Sequence, residues 1–183
     1  MTASRLDVVV PTYGRPEDVE ALLANLRAQT RRPDRILVVD DTPDDAVERA
    51  VAAHPEAEYH RNPGPASIPA ARNAGVDRSS GDVLVFLDND VRVEPDYLER
   101  IAAALEARPD AIAAMGHVTN LPALGPGRRA FAAAFGLNRP TPSDCRLLPN
   151  LNTTYPLAVA APRAVGWLWG CNMAVRREAF GRV

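Results

Sequence analysis

The strongest constraint on this chain is a series of short apolar runs that each end at a proline or an aspartate. Leu6 to Val10 runs into Pro11, Arg35 to Asp40 (RILVVD) ends beside a second acid, and Val83 to Leu87 (VLVFL) runs into Asp88. Runs this short, without polar alternation, suit strands buried on both faces. Helical patterns lie between them. Pro16 fits a first turn, Glu17 and Asp18 its positive end, and Val19, Leu22, Leu23 and Leu26 form one apolar stripe. Thr42 is expected to cap, and Pro43 to open, a second helix with Val47, Ala50 and Val51 inward and His54-Pro55 at its close. Ser67 to Ala74 reads as a short helix ending at Gly75, and Pro95 opens another with a stripe of Leu98, Ile101, Ala102 and Leu105. Ala57 to Arg61 is a weaker strand, Asn62 to Pro65 a loop, and Ala111 to Val118 a further strand. Strands alternating with helices predict an α/β fold, with a mostly parallel central sheet and helices on both faces. Ligands of such sheets bind beyond the carboxyl ends of the strands. The places to look are therefore 11–15, 40–42 and 88–91.

The pattern changes after Thr119. Residues 120–166 are rich in Pro, Gly and Asn, with a short Ala-rich helix expected around Arg128 to Phe135. An apolar run, Cys171 to Val175, follows Trp167-Leu168-Trp169-Gly170, and Arg176 to Phe180 reads as the start of a helix. The chain thus divides at about residue 118, and its 183 residues suffice for a real core.

Composition excludes several chemistries. All 21 basic residues are arginine, so there is no lysine for a P-loop, a Schiff base or a kinase strand. A formal charge of −2 advertises neither nucleic acid nor an anionic membrane. Cys145 and Cys171 are too few for a disulfide scaffold and read as reduced thiols. No apolar run approaches membrane-spanning length, and the opening residues lack a signal-peptide core, so a cytoplasmic location is expected. Gly125 to Ala130 matches a dinucleotide fingerprint but follows a Pro-rich stretch rather than a strand, and is rejected. His54, His60 and His117 lack metal-ligand spacing, and no serine-hydrolase elbow is present.

The strand ends carry the candidate chemistry. In FLDND, Asp88 and Asp90 flank Asn89; carboxylates this close suit a hard divalent cation such as Mg²⁺ or Mn²⁺, or simply a polar turn after the strand. Asp40 and Asp41 offer a hydrogen bond to a base or ribose, or a capping role beside Thr42. Pro11-Thr12-Tyr13-Gly14-Arg15 forms the first turn, where Tyr13 offers an aromatic face to a planar base or packs as an ordinary tyrosine. Arg72-Asn73, among small residues on a short helix behind a Pro/Gly loop, could reach a diphosphate or form a surface salt bridge.

The order of these segments is more specific than any one of them. VVVPTYGRPEDVEALLANLRAQT, ILVVDDTP, the long segment from NPGPASIPAARNAG through VLVFLDND to YLERI, and finally WGCNMAVRREAFGRV together resemble the family 2 glycosyltransferases. The resemblance implies a GT-A type, Rossmann-like fold and a nucleotide-diphospho-sugar donor (UDP-, GDP- or dTDP-linked). It places Pro11, Thr12, Tyr13 and Asp41 in a nucleoside pocket and Arg72 near the diphosphate. Asn89 falls near the ribose or sugar, and Asp88 and Asp90 on a Mn²⁺ or Mg²⁺ ion. Arg15, Asp40 and Asn73 complete the expected donor set. It implies an inverting, metal-dependent transfer to an acceptor hydroxyl.

The family's base-bearing acidic motif would lie beyond Val183, so 1–118 is expected to bind donor and 119–183 to begin an acceptor region. Neither Asp144 nor Glu178 matches that motif, and no residue is nominated as base. The chain is then either the N-terminal portion of a transferase or a catalytically silent nucleotide-sugar module. A homodimer could cover any apolar surface left at that end, where Trp167 and Trp169 are either core residues or a platform for an acceptor sugar.

Overall fold

The structure is a computed structural model, and it describes residues 4–119, 127, 134 and 161–181. Six strands form one sheet in the order β3-β2-β1-β4-β6-β5. Strands β1 (Leu6–Thr12), β2 (Arg35–Asp40), β3 (Ala57–Arg61) and β4 (Val83–Leu87) run parallel. β6 (Asn172–Arg176) lies antiparallel between β4 and the short β5 (Ala113–Met115). Every residue of β1 and of β4 is buried, which is why both read as unbroken apolar runs.

The pleat sorts these side chains into two cores. Leu6, Val8 and Val10 of β1, with their counterparts on β2 and β4, pack on three helices: α1 (Pro16–Arg27), α2 (Ala46–Ala52) and α4 (Tyr97–Ala107). Val9, Leu37, Val39, Leu84 and Phe86 face the other way and pack on Ala71 and Ala74 of α3 (Ile68–Arg78). The expected mostly parallel sheet, covered on both faces, is therefore present.

Several local expectations are corrected. Helix α3 runs through Gly75 to Arg78, and Gly75 is a close-packing residue rather than a terminator. A Cβ there would lie 2.3 Å from Val9 Cγ1. Thr42 does not cap α2, which begins at Ala46; its hydroxyl instead accepts the Gly14 N–H at 2.6 Å. β5 spans three residues, and the expected helix after Arg176 is a single 3₁₀ turn, Arg177–Ala179. The helix expected around Arg128 to Phe135 lies outside the described residues.

The chain divides into two compact units, 1–115 with 169–183, and 116–168. The segment 172–176 thus contributes a strand to the sheet built by the first part of the chain. Among the described residues, no helix is long and apolar enough to cross a membrane.

Candidate functional site

β1 has β2 on one side and β4 on the other, so the direction of strand succession reverses between β1 and β4. Crevices form at the carboxyl ends of strands around such a reversal. A cleft of about 440 Å³ opens there, lined by the turn after β1, the loop after β2, the start of α3, and Asp88 to Asp90 after β4.

The turn after β1 is built from two consecutive left-handed residues, Gly14 at φ 68° and Arg15 at φ 58°. Thr12 Oγ1 donates to the Gly14 carbonyl at 3.1 Å and accepts from Asn89 Nδ2 at 2.9 Å, tying the ends of β1 and β4 together. With its backbone held this way, Tyr13 stands 62% exposed on the cleft wall. Ile68, 56% exposed at the start of α3, also lines the cleft, and sequence reading missed it.

The two acids after β2 separate in role. Asp40 is fully buried; its oxygens accept from the Thr42 N–H at 2.8 Å and from the Tyr59 hydroxyl at 2.9 Å. Burial, and then this bond to Asp40, push the Tyr59 hydroxyl well above its ordinary pKa, so it remains a donor. Asp40 is not on the cleft. Asp41 is: it accepts from Asn62 Nδ2 at 2.6 Å and from the Ser67 N–H at 2.9 Å, fixing the loop that enters α3. Ser67 itself caps α3 by accepting the Ala70 N–H.

Arg72 is turned toward Asp88 and the backbone. Its Nη2 donates to Asp88 Oδ1 at 2.9 Å and to the Gly170 carbonyl at 3.0 Å, and its buried Nε has no hydrogen-bond partner. Gly170 is tight against that guanidinium, since a Cβ would lie 3.1 Å from both Nη atoms. The Cys171 carbonyl accepts the Asp88 N–H at 3.1 Å. Asp88 is therefore gripped from α3 and from the residues just before β6. Burial raises its pKa, the Arg72 charge and hydrogen bond oppose that rise, and Asp90 adds to it. Burial and the nearby Asp88 also hold the Cys171 thiol above its ordinary value. Asn73 is exposed on α3 and does not line the cleft.

Asp90 is more open, with its side chain 56% exposed and Arg15 Nη1 3.4 Å from Oδ2. Arg15 is the only cation among the described residues that line the cleft. Among the described residues, no group of three or more His, Cys, Asp or Glu side chains is gathered to hold a metal. Asp88 and Asp90 both line the cleft, each acid already beside an arginine. Glu178 lies at the far end of the sheet: it follows Arg176, which pairs with Val83 at the start of β4, whereas the cleft adjoins the end of β4. Asp144 lies outside the described residues.

The structure thus brings Pro11, Thr12, Tyr13, Arg15, Asp41, Asp88, Asn89 and Asp90 together on one cleft. Arg72 stands behind it through its contact with Asp88. Sequence reading missed the supporting roles of Thr42, Asn62, Ser67 and Gly170. Only Ser67 carried a local signal, a small hydroxyl residue at a helix start; the others act across long sequence distances.

Comparison with known proteins agrees with this architecture. The family model described as glycosyl transferase family 2 matches residues 7–183. The succinoglycan biosynthesis protein ExoM of Rhizobium meliloti is 31% identical over 185 residues, covering 95% of this chain and 52% of its own. The chain spans about half the length, or less, of the curated relatives it matches. A mannosyltransferase from Pyrobaculum calidifontis, solved in complex with GDP-Man and Mn²⁺, superposes with a TM-score of 0.63 at 22% identity, covering 99% of this chain and 47% of its own. TarS 1–349 of S. aureus in complex with UDP-GlcNAc gives a TM-score of 0.50 at 21% identity, covering 66% and 37% respectively. The likeness to these structures is one of fold, and it agrees with the expected GT-A type. With the family match running over nearly its whole length, this chain belongs to glycosyl transferase family 2.

Proposed function

We propose that the cleft binds a nucleotide-diphospho-sugar together with Mn²⁺ or Mg²⁺, and that the chain supplies the donor-binding part of an inverting sugar transfer. The observation that carries this is the juxtaposition of an exposed aromatic, Tyr13, with Asp88 and Asp90 on one crevice at the strand reversal. That is the chemistry a base linked to a diphosphate requires: an apolar face for stacking and a place for a cation beside the phosphates.

The residues fit a hard divalent ion of this kind. Mg²⁺-like ions keep several waters and take one or two carboxylates plus substrate phosphates, so a site of two aspartates is sufficient. Asp88 and Asp90 would hold it, and when bound it neutralises charge developing on the leaving diphosphate. Tyr13 stacks on the base. Asp41, with two of its roughly four acceptor positions used by Asn62 and Ser67, retains capacity for the nucleoside. Asn89, fixed by Thr12, faces the ribose or sugar. Arg15 faces the diphosphate. In an inverting displacement the acceptor oxygen bonds to the anomeric carbon opposite the departing diphosphate, while a base takes the hydroxyl proton. A GT-A enzyme using GDP- and UDP-linked sugars is consistent with the ligands of the two solved neighbours.

One observation favours a second reading. Each carboxylate described on the cleft is already engaged: Asp41 with the loop, Asp88 with Arg72, Asp90 with Arg15. None stands ready as the base, which suits a nucleotide-sugar module whose base comes from elsewhere. Turnover of a nucleotide-sugar by the 183-residue chain would exclude that module.

Paired variants test the site itself. Asp90→Ala should weaken binding of a nucleoside diphosphate only when metal is present. Tyr13→Ala should weaken it about tenfold with or without metal, because stacking on a base is worth about 1–3 kcal/mol. Calorimetry would measure both; equal affinity of the two variants under both conditions would contradict the assignment.

A further inference from the structure

Arg15 occupies an unusual position. A left-handed conformation disfavours any residue with a Cβ, and Arg15 adopts it at φ 58°, ψ 56° directly after a second left-handed residue. Non-glycine residues held this way tend to sit at functional sites, provided the surroundings fix them. The surroundings here do so. The Gly14 N–H is bound by Thr42, the Gly14 carbonyl by Thr12, and the Arg15 carbonyl accepts from the Asp18 and Val19 N–H groups that open α1.

That backbone sets the guanidinium between two acids. Nη1 is 3.4 Å from Asp90 Oδ2 on the cleft side and 3.9 Å from Asp18 Oδ2 behind it. Asp18 is also within 3.6 Å of Arg92, so it forms a fixed anionic seat. With the side chain 64% exposed, Arg15 can leave Asp90 without stranding either charge in a dry interior.

From this we infer that Arg15 is an internal counter-ion for the cation site, and that it couples cation binding to diphosphate binding. It rests on the donor-site proposal above. Arg15 sits beside Asp90, where a divalent ion would also be held. A cation arriving alone has to displace it and tolerate its positive charge nearby. A diphosphate draws Arg15 off Asp90, because a guanidinium pairs with phosphate oxygens at least as well as with a carboxylate. The cation then meets an uncompensated aspartate. By linkage, the cation strengthens diphosphate binding by the same factor. Arg72 performs no such exchange, since the Gly170 carbonyl and Asp88 hold it behind the cleft.

The experiment is calorimetric titration of the full chain with Mn²⁺ alone, with GDP and UDP alone, and with each diphosphate in the presence of Mn²⁺. Wild type is compared with R15Q, and with R15G, which suits the left-handed backbone and should melt no lower than wild type. An exposed pair of this kind accounts for a factor of up to about five. Both variants should therefore bind Mn²⁺ alone about two- to fivefold more tightly than wild type. Their diphosphate affinity should fall about tenfold, and the enhancement of diphosphate binding by Mn²⁺ should shrink about two- to fivefold. Unchanged or weaker Mn²⁺ binding by both variants, with wild-type binding of Mn²⁺ and diphosphate intact, would overturn the counter-ion role alone. Absence of Mn²⁺ and diphosphate binding in wild type would overturn the donor site, and this inference with it.

Discussion

Asp88 is pulled two ways, and the balance has a measurable sign. Burial favours its protonated form and Asp90 adds to that, while Arg72 at 2.9 Å favours the charged form; the net effect is a raised pKa. A carboxyl raised above its unfolded value adds stability that is present below the unfolded pKa and is lost as pH rises through the folded one. Its partial burial and its ion pair leave this contribution small, but its direction is distinctive. Asp88→Asn removes the titration while keeping a polar group for Arg72. On lowering the pH from about 7 to about 4, near the ordinary aspartate range, wild type should gain stability relative to Asp88→Asn in urea melts at each pH. A relative loss would mean that pairing with Arg72 outweighs burial. Asp40 gives the contrasting case. It was expected beside the ligand together with Asp41, but its two bonds to Thr42 and Tyr59 make it a buried structural acid. Nothing in the dipeptide Asp40-Asp41 distinguishes the two; strand register does, by directing one side chain into the protein and the next into the cleft.

Helix α3 is where an element's sequence signal was most misleading. Glycine near the end of a helical pattern usually marks its C-terminus, yet here the helix continues for three residues, because Gly75 lets α3 lie directly on β1. A Cβ would fall 2.3 Å from one Val9 methyl and 3.2 Å from the other. Gly75→Ala should therefore destabilise the protein by about 1–2 kcal/mol: overpacking costs about 1–3 kcal/mol, and alanine's better helix propensity returns up to about 1. Denaturant melts would measure it, and a more stable variant would show that α3 can lift off the sheet freely. The strands were the most legible elements, because burial on both faces leaves an apolar run that no exposed element shares. Helix starts were less so. Thr42 has every local mark of a cap, but its hydroxyl is taken by Gly14, a partner 28 residues away. β5 is shorter than its apolar run suggested, pairing only through Ala113 to Met115.

At the scale of the whole molecule, the candidate site was legible as a set of strand ends, and its wiring was not. Periodicity marked the segments 11–15, 40–42 and 88–91, since the parallel sheet must place those turns on one edge, and the family resemblance singled out residues such as Asp41 and Asn89 within them. It did not reveal which arginine faces the cleft. Arg72 was expected there, but the structure commits it to Asp88 and Gly170, a contact that spans 98 residues, and leaves Arg15 on the cleft wall. Such pairings depend on how β6 returns to the sheet beside β4, for which the local sequence holds no signal. On the reading proposed above, this edge is a metal-assisted site for a nucleoside diphosphate. Its most direct test is calorimetric titration of the 183-residue chain with GDP, UDP and dTDP, each with and without Mn²⁺. At least one of them should bind, and bind at least about tenfold more tightly when Mn²⁺ is present, because Asp88 and Asp90 would hold the ion beside the phosphates. No binding of any of the three, or binding indifferent to the ion, would contradict it.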